Sequence, residues 1–265
     1  MPSTTVNGVA IHYVDRGSGL PVALVHGFPL DLRMWDAQLP DLTAAGHRAV
    51  AVDCRGFGQS ARTGPFTIEQ LADDLRGVLA AAGALPCVLG GLSMGGYVAL
   101  AVARKYPADL KGLMLFDTQA GADSPQAREG RQKNIDLVRS KGPAAIADAM
   151  IPKLLAPGAA DRRPELAASL RKMIEACPAD TIAQALVALR DRPDSTAALP
   201  TIKVPTLVVV GDGDQITPVE VAEKMRAGIG AAAELAVIRG AGHMSPMEQP
   251  AQVNQVVRGF LKRIG

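Results

Sequence analysis

Short runs of Val, Leu, Ile and Ala recur along the chain, with stretches of helical spacing between them. The runs are VALVHG after Pro21, AVAVD from Ala49, CVLGG from Cys87, LMLFD from Leu113 and TLVVVGD from Thr206. Unbroken apolar runs of this length, bounded by Gly, Pro or Asp, mark strands buried on both faces of a parallel sheet. Two further strands are predicted at Val9 to Val14 and Glu234 to Ile238. The alternation of strand and helix predicts an α/β fold, a mostly parallel central sheet flanked by helices.

Helix starts are legible too. Thr67 and Gln70 form a capping box ahead of Leu71, Leu75, Val78 and Leu79, which are spaced along one helical face. Thr217, Pro218 and Glu220 predict a second start with Thr217 as the cap. A closing helix begins near Pro250 and carries Val253, Val256, Val257, Phe260 and Leu261. From Asp117 to Pro205 the strand pattern stops, and prolines punctuate helical stretches. A bare loop of that length is rare in a compact domain. The interval is therefore predicted to be a helical lid, approximately residues 119–200, inserted after the sixth strand of a single domain spanning 1–265.

Composition narrows the classes. The chain is 48% hydrophobic, with 28 Lys and Arg against 26 Asp and Glu, a net +2. This excludes intrinsic disorder and gives no basic surplus for holding nucleic acid. Gly77 to Ala103 carries no charge, yet Gly83, Pro86, Gly90, Gly91, Gly95 and Gly96 break it into helix, strand and helix, so no membrane span is predicted. Cys54, Cys87 and Cys177 are widely spaced with no C-x-x-C. The start lacks a basic segment followed by an apolar one, and the expected location is cytoplasmic.

The sharpest chemical signal is Gly91-Leu92-Ser93-Met94-Gly95, a G-x-S-x-G lying between a strand and the helical YVALAVARKY. In that context it predicts a nucleophile elbow, a strained turn that presents the serine at the sheet edge. A serine needs a base. His12, His26 and His47 lie in or beside strands and are expected to be structural, whereas His243 follows the last strand on a free loop and is predicted to be the base. The acid has two candidates, Asp214 after TLVVV and Asp117 at the end of LMLFD; Asp214 is favoured because it gives the chain order Ser, Asp, His. Asp212 reads as a turn residue.

Oxyanion donors are predicted from the backbone N–H groups of Met94, next to the serine, and Phe28 in His26-Gly27-Phe28-Pro29, since Pro29 has no N–H. Asp53, Arg55 and Gly58 are expected to brace the neighbouring loop, and Cys54 to be packed rather than nucleophilic. Trp35 reads most simply as a core or lid-contact residue; Phe28 and Trp35 are also the rings expected at a pocket otherwise walled by aliphatic lid side chains such as Ile151, Leu154, Leu170 and Met173, whose spacing equally suits plain helix packing. No cofactor or metal is predicted: Ile216 stands where a dinucleotide loop would need its third glycine, and no P-loop or H-E-x-x-H occurs.

The blocks HGFPLDLRMW, DCRGFGQS, GLSMGGYVAL, VPTLVVVGDGDQITP and GAGHMSPMEQP resemble, in order and spacing, those of α/β-hydrolases of the bacterial esterase, lactonase and perhydrolase branch. HGFPL and GDGDQITP are similar to cofactor-free haloperoxidases and arylesterases, and HGFPLDLRMWDAQ with GLSMGGYVAL to 3-oxoadipate enol-lactonases. The resemblance implies a triad of Ser93, Asp214 and His243. It disfavours the Asp-nucleophile members because position 93 is Ser. The expected activity is cleavage of a small-molecule carboxylic ester or lactone through an acyl-enzyme. Interception of that intermediate by peroxide, or a ligand-binding receptor of low turnover, are the alternatives.

Overall fold

The computed structural model describes residues 2–264. Its strands are β1 (Ser3–Val6), β2 (Val9–Arg16), β3 (Pro21–Val25), β4 (Arg48–Val52), β5 (Cys87–Leu92), β6 (Leu110–Phe116), β7 (Thr206–Gly211) and β8 (Ala233–Ile238). They form one sheet in the order β1-β2-β4-β3-β5-β6-β7-β8. The β1–β2 and β2–β4 pairs are antiparallel, and every pair from β4 to β8 is parallel. The predicted strands are all present. Only β1 was not anticipated: its STTV is half exposed against the sheet's outer edge and holds no apolar run. By contrast β5 and β7 are buried at every position, as two covered faces require.

The helices are α1 (Gln38–Ala44), α2 (Ile68–Ala81), α3 (Met94–Lys105), α4 (Pro125–Lys141), α5 (Pro143–Leu154), α6 (Ala159–Arg162), α7 (Pro164–Ala176), α8 (Ala179–Arg190), α9 (Val219–Ile229), α10 (Ser245–Glu248) and α11 (Pro250–Leu261). At α2 the capping box is formed: the Gln70 N–H donates to Thr67 Oγ1 at 3.2 Å and the Thr67 N–H to Gln70 Oε1 at 2.9 Å. Such a cap contributes about 1 kcal/mol. Leu71, Leu75, Val78 and Leu79 are buried as their spacing demands.

At α9 the expectation fails. Pro218, not Thr217, occupies the cap, and no side chain closes it. The Thr217 hydroxyl is committed elsewhere, to the Asp214 carboxylate at 2.7 Å.

Helices α4 to α8 form the insertion between β6 and β7, with α4 packed on α8 and α5 on α7. Its two ends are tied together at one neck. The buried Arg192 guanidinium donates to Asp123 Oδ1 at 2.6 Å and to the Gly121 carbonyl at 2.8 Å, and the Ser195 N–H to the Ala120 carbonyl at 2.9 Å. The two ends of the insertion therefore meet beyond the carboxyl ends of the parallel strands, and residues 196–205 then carry the chain down to the amino end of β7. Among the described residues no helix is long and apolar enough to cross a membrane.

Candidate active site

In an open α/β sheet, loops at the carboxyl ends of parallel strands converge where the strand order reverses. Here β3 lies between β4 and β5, and β5 to β8 follow in sequence order. The pairings Val25 with Gly91, Leu92 with Phe116, Phe116 with Val209 and Gly211 with Ile238 align the strand ends. The loops after β3, β5, β6, β7 and β8 carry Phe28, Ser93, Asp117, Asp214 and His243 respectively.

Ser93 sits between β5 and α3 at φ 52°, ψ −109°, a left-handed backbone that a non-glycine residue adopts only under constraint. The constraint is visible on both sides. A Cβ at Gly91 would fall on the Gly95 carbonyl, and one at Gly95 would fall on the Val25 carbonyl. Hydrogen bonds hold the turn from outside: the Ser93 N–H donates to the Phe116 carbonyl at 3.0 Å, and Thr118 Oγ1 to the Ser93 carbonyl at 2.8 Å. The elbow predicted from the motif is thus built.

His243 Nδ1 lies 2.8 Å from Asp214 Oδ2, and both side chains are almost wholly buried. An ionised carboxylate only accepts, so Nδ1 carries a proton and Nε2 is the ring nitrogen left to face a reacting group. Asp214 is itself held by three groups: the N–H of Ile216 at 2.8 Å and of Thr217 at 3.0 Å reach Oδ1, and Thr217 Oγ1 reaches Oδ2 at 2.7 Å. Burial alone would raise the Asp214 carboxyl. The electrostatic attraction and hydrogen bond of His243, with the backbone and hydroxyl hydrogen bonds of Thr217, outweigh it and hold the group below the usual Asp value. Thr217 is the site residue that sequence reasoning missed, because its position before Pro218 reads equally well as a helix cap.

Asp117, the other candidate acid, does not meet the histidine. It is fully buried at φ 44°, accepting the Gly211 N–H on Oδ1 at 2.9 Å and facing Ser245 Oγ at 2.5 Å on Oδ2. Burial, and then the nearby Asp214 charge, push its carboxyl well above the ordinary value. Asp212 accepts the Gly240 N–H at 2.8 Å, so it joins the loops after β7 and β8 rather than bonding to its own backbone.

The loop after β3 runs beside the elbow: a Cβ on Gly27 would lie 3.6 Å from the Ser93 Cβ. Among the described residues neither the Phe28 nor the Met94 N–H donates to a protein acceptor, so both are free for a ligand oxygen. Ser93 Oγ likewise makes no hydrogen bond to a protein group among those residues, whereas His243 and Asp214 are already joined. Catalytic contacts of this kind often close only once a substrate is bound.

The remaining histidines are structural where the geometry is resolved. His26 donates from Nδ1 to the Gly27 carbonyl and accepts the Cys54 N–H on Nε2 at 3.0 Å, which fixes it as neutral. His12 pairs with Asp53, which also accepts the N–H groups of Leu32 and Gln59, the bracing role expected of it. Burial pushes the Cys54 thiol far up, in keeping with a packed side chain. Trp35 takes the core position, one of the two roles expected of it: it is fully buried against Phe116, ring to edge at 5.5 Å. A cavity of about 260 Å³ opens between Leu30, Arg33 and Gln59 on one side and Met173 and Cys177 of the insertion on the other. Its lining includes none of Ser93, Asp214 and His243, nor Phe28 or Trp35.

With an eight-stranded sheet of this order, a strained serine after β5 and a His–Asp pair after β8 and β7, the chain belongs to the alpha/beta hydrolase family, whose description matches residues 22–256. It is similar to the AB hydrolase superfamily protein YisY of Bacillus subtilis, 32% identical over 97% of each chain. It is also similar to 3-oxoadipate enol-lactonase 2 of Acinetobacter baylyi, 28% identical over 98% of this chain and 96% of the other. Among solved structures, a thermophilic esterase from Thermogutta terrifontis superposes with a TM-score of 0.93 at 45% identity, covering 99% of this chain and 97% of its own.

Proposed function

We propose that this hydrolase cleaves a small carboxylic ester or lactone with Ser93 as nucleophile, His243 as base and Asp214 as the acid that orients it. The observation carrying the proposal is a strained serine at the sheet edge together with an imidazole whose Nδ1–H is held by Asp214 at the same edge. His243 Nε2 takes the Ser93 proton as Oγ attacks the ester carbonyl, and the imidazolium formed is stabilised by Asp214. The resulting oxyanion rests on the Phe28 and Met94 N–H groups, each such donor being typically worth about 3 kcal/mol of barrier. Collapse expels the alcohol, which takes the proton from His243. Water, deprotonated by the same nitrogen, then attacks the acyl carbonyl and releases the acid.

Esters and lactones share one demand, a planar carbonyl whose oxygen enters the amide pair, and a ring-opened lactone keeps its leaving hydroxyl on the acyl group until water releases the hydroxy acid. The test is a panel of short-chain p-nitrophenyl esters and lactones run on the wild type and Ser93→Ala. Turnover of one class that Ser93→Ala abolishes supports the proposal and names the substrate class. Undiminished turnover in Ser93→Ala rejects it. Peracid formed on adding hydrogen peroxide, above the uncatalysed level, would point to peroxide as the preferred acyl acceptor.

A further inference from the structure

Glu248 is a carboxylate that the proposed chemistry does not use, and it is only 2% exposed. It sits in α10, five residues after His243, and its two oxygens go in different directions. Oε1 accepts the N–H of Gly242, the residue immediately before His243, at 2.7 Å. Oε2 accepts the N–H of Ala156, just beyond α5 of the insertion, at 2.8 Å. Its own carbonyl accepts Arg163 Nη1, from the residue that precedes α7. One residue thus holds the loop of the base and the insertion at once.

The two segments meet with no room between them. A Cβ on Gly242 would fall on the Ala156 nitrogen and lie 2.5 Å from the Leu155 carbonyl carbon. A Cβ on Gly213, beside Asp214, would lie 3.3 and 3.5 Å from the Pro157 and Ala156 side chains. Residues 155–157 therefore rest on the loops of both the acid and the base. Burial pushes the Glu248 carboxyl above its ordinary value in spite of its N–H partners. A buried carboxylate so placed is costly unless its bonds do something an apolar residue could not.

Taking Ser93, Asp214 and His243 as the triad, we propose that Glu248 is a positioning residue that fixes the insertion and the His243 loop to each other, so that the seating of one sets the other. Glutamine at 248 tests this. Its amide has one acceptor oxygen for two N–H donors, so one bond of the bridge must be lost. Hydrogen exchange on intact protein is expected to show residues 155–157 and 242–244 losing protection together, while β5 and β7 keep theirs. With a short p-nitrophenyl ester, kcat is expected to fall by about tenfold or more at little change in KM, since misplacement of a catalytic group by about 1 Å can cost 10²-fold in rate.

Loss of protection confined to one segment, or kcat within about twofold of wild type in Glu248→Gln, overturns the proposal; a residue that merely packs would lower stability without that kcat and KM split. Should Glu248→Gln fail to melt cooperatively, Arg163→Met carries the exchange test, because it loosens the insertion's end of the tie and leaves the carboxylate in place. Residues 155–157 opening alone would then reject the coupling. The exchange result does not depend on turnover, so failure of the triad assignment, seen as full activity in Ser93→Ala, remains distinguishable from failure of the bridge.

Discussion

Asp214 and Asp117 stand at the ends of β7 and β6, are both buried, and have opposite electrostatics. Asp214 lies beside an imidazole and is held charged; Asp117 faces a hydroxyl and a backbone N–H and is pushed toward its neutral form. Asp214→Asn is therefore expected to lower kcat by about 10⁴-fold, because the amide turns the imidazole to the wrong tautomer. Asp117→Asn, which replaces a carboxyl pushed toward its neutral form with an amide that can still accept from Gly211, is expected to keep kcat within about threefold. Linkage gives a second check. A raised Asp carboxyl keeps its proton in the folded state while the unfolded chain loses it near the ordinary value of about 3.9. Unfolding then releases a proton, so the wild type loses stability relative to Asp117→Asn as pH rises from that value through the folded one. Melting temperatures of both proteins across that range measure it, and a difference independent of pH would mean Asp117 is not protonated. Thr217→Val, which removes the hydroxyl on Asp214 and keeps the N–H, is expected to lower kcat by about tenfold, the scale of one hydrogen bond to a charged group. Steady-state kinetics of the folded variant decides it.

At the scale of elements, the elbow between β5 and α3 depends on backbone packing that no side chain can share. Gly95→Ala is expected to destabilise the fold and abolish Ser93 reactivity, because its Cβ would fall on the Val25 carbonyl of a central strand, where nothing flexible can yield. A soluble Gly95→Ala with wild-type turnover would contradict that reading. The elements most readable in the sequence were those whose local chemistry is unambiguous. Buried runs such as VLGG and LVVV can only be inner strands, and the Thr67–Gln70 box has no competing partner nearby. Thr217 was misread because a threonine before a proline satisfies the cap pattern, and only the third dimension shows its hydroxyl drawn to Asp214. Strand β1 escaped because its stability comes from pairing with β2 rather than from burial of its own residues.

On the scale of the whole molecule, the helical insertion separates Ser93 and Asp117 from Asp214 and His243 in sequence, while the sheet brings all four loops to one edge. The neck at Asp123 and Arg192 closes the insertion on itself, and Glu248 bonds both the insertion and the loop that carries His243. The four loops thus depend on contacts from both halves of the chain. The central claim is that one serine among the chain's several is made nucleophilic by this assembly. Labelling the folded protein with a fluorophosphonate, followed by intact-mass and peptide mapping, tests it most directly. The account predicts a single adduct on Ser93 whose rate of formation collapses in His243→Ala and Asp214→Asn; an adduct on another residue, or an undiminished rate in those two variants, would contradict it.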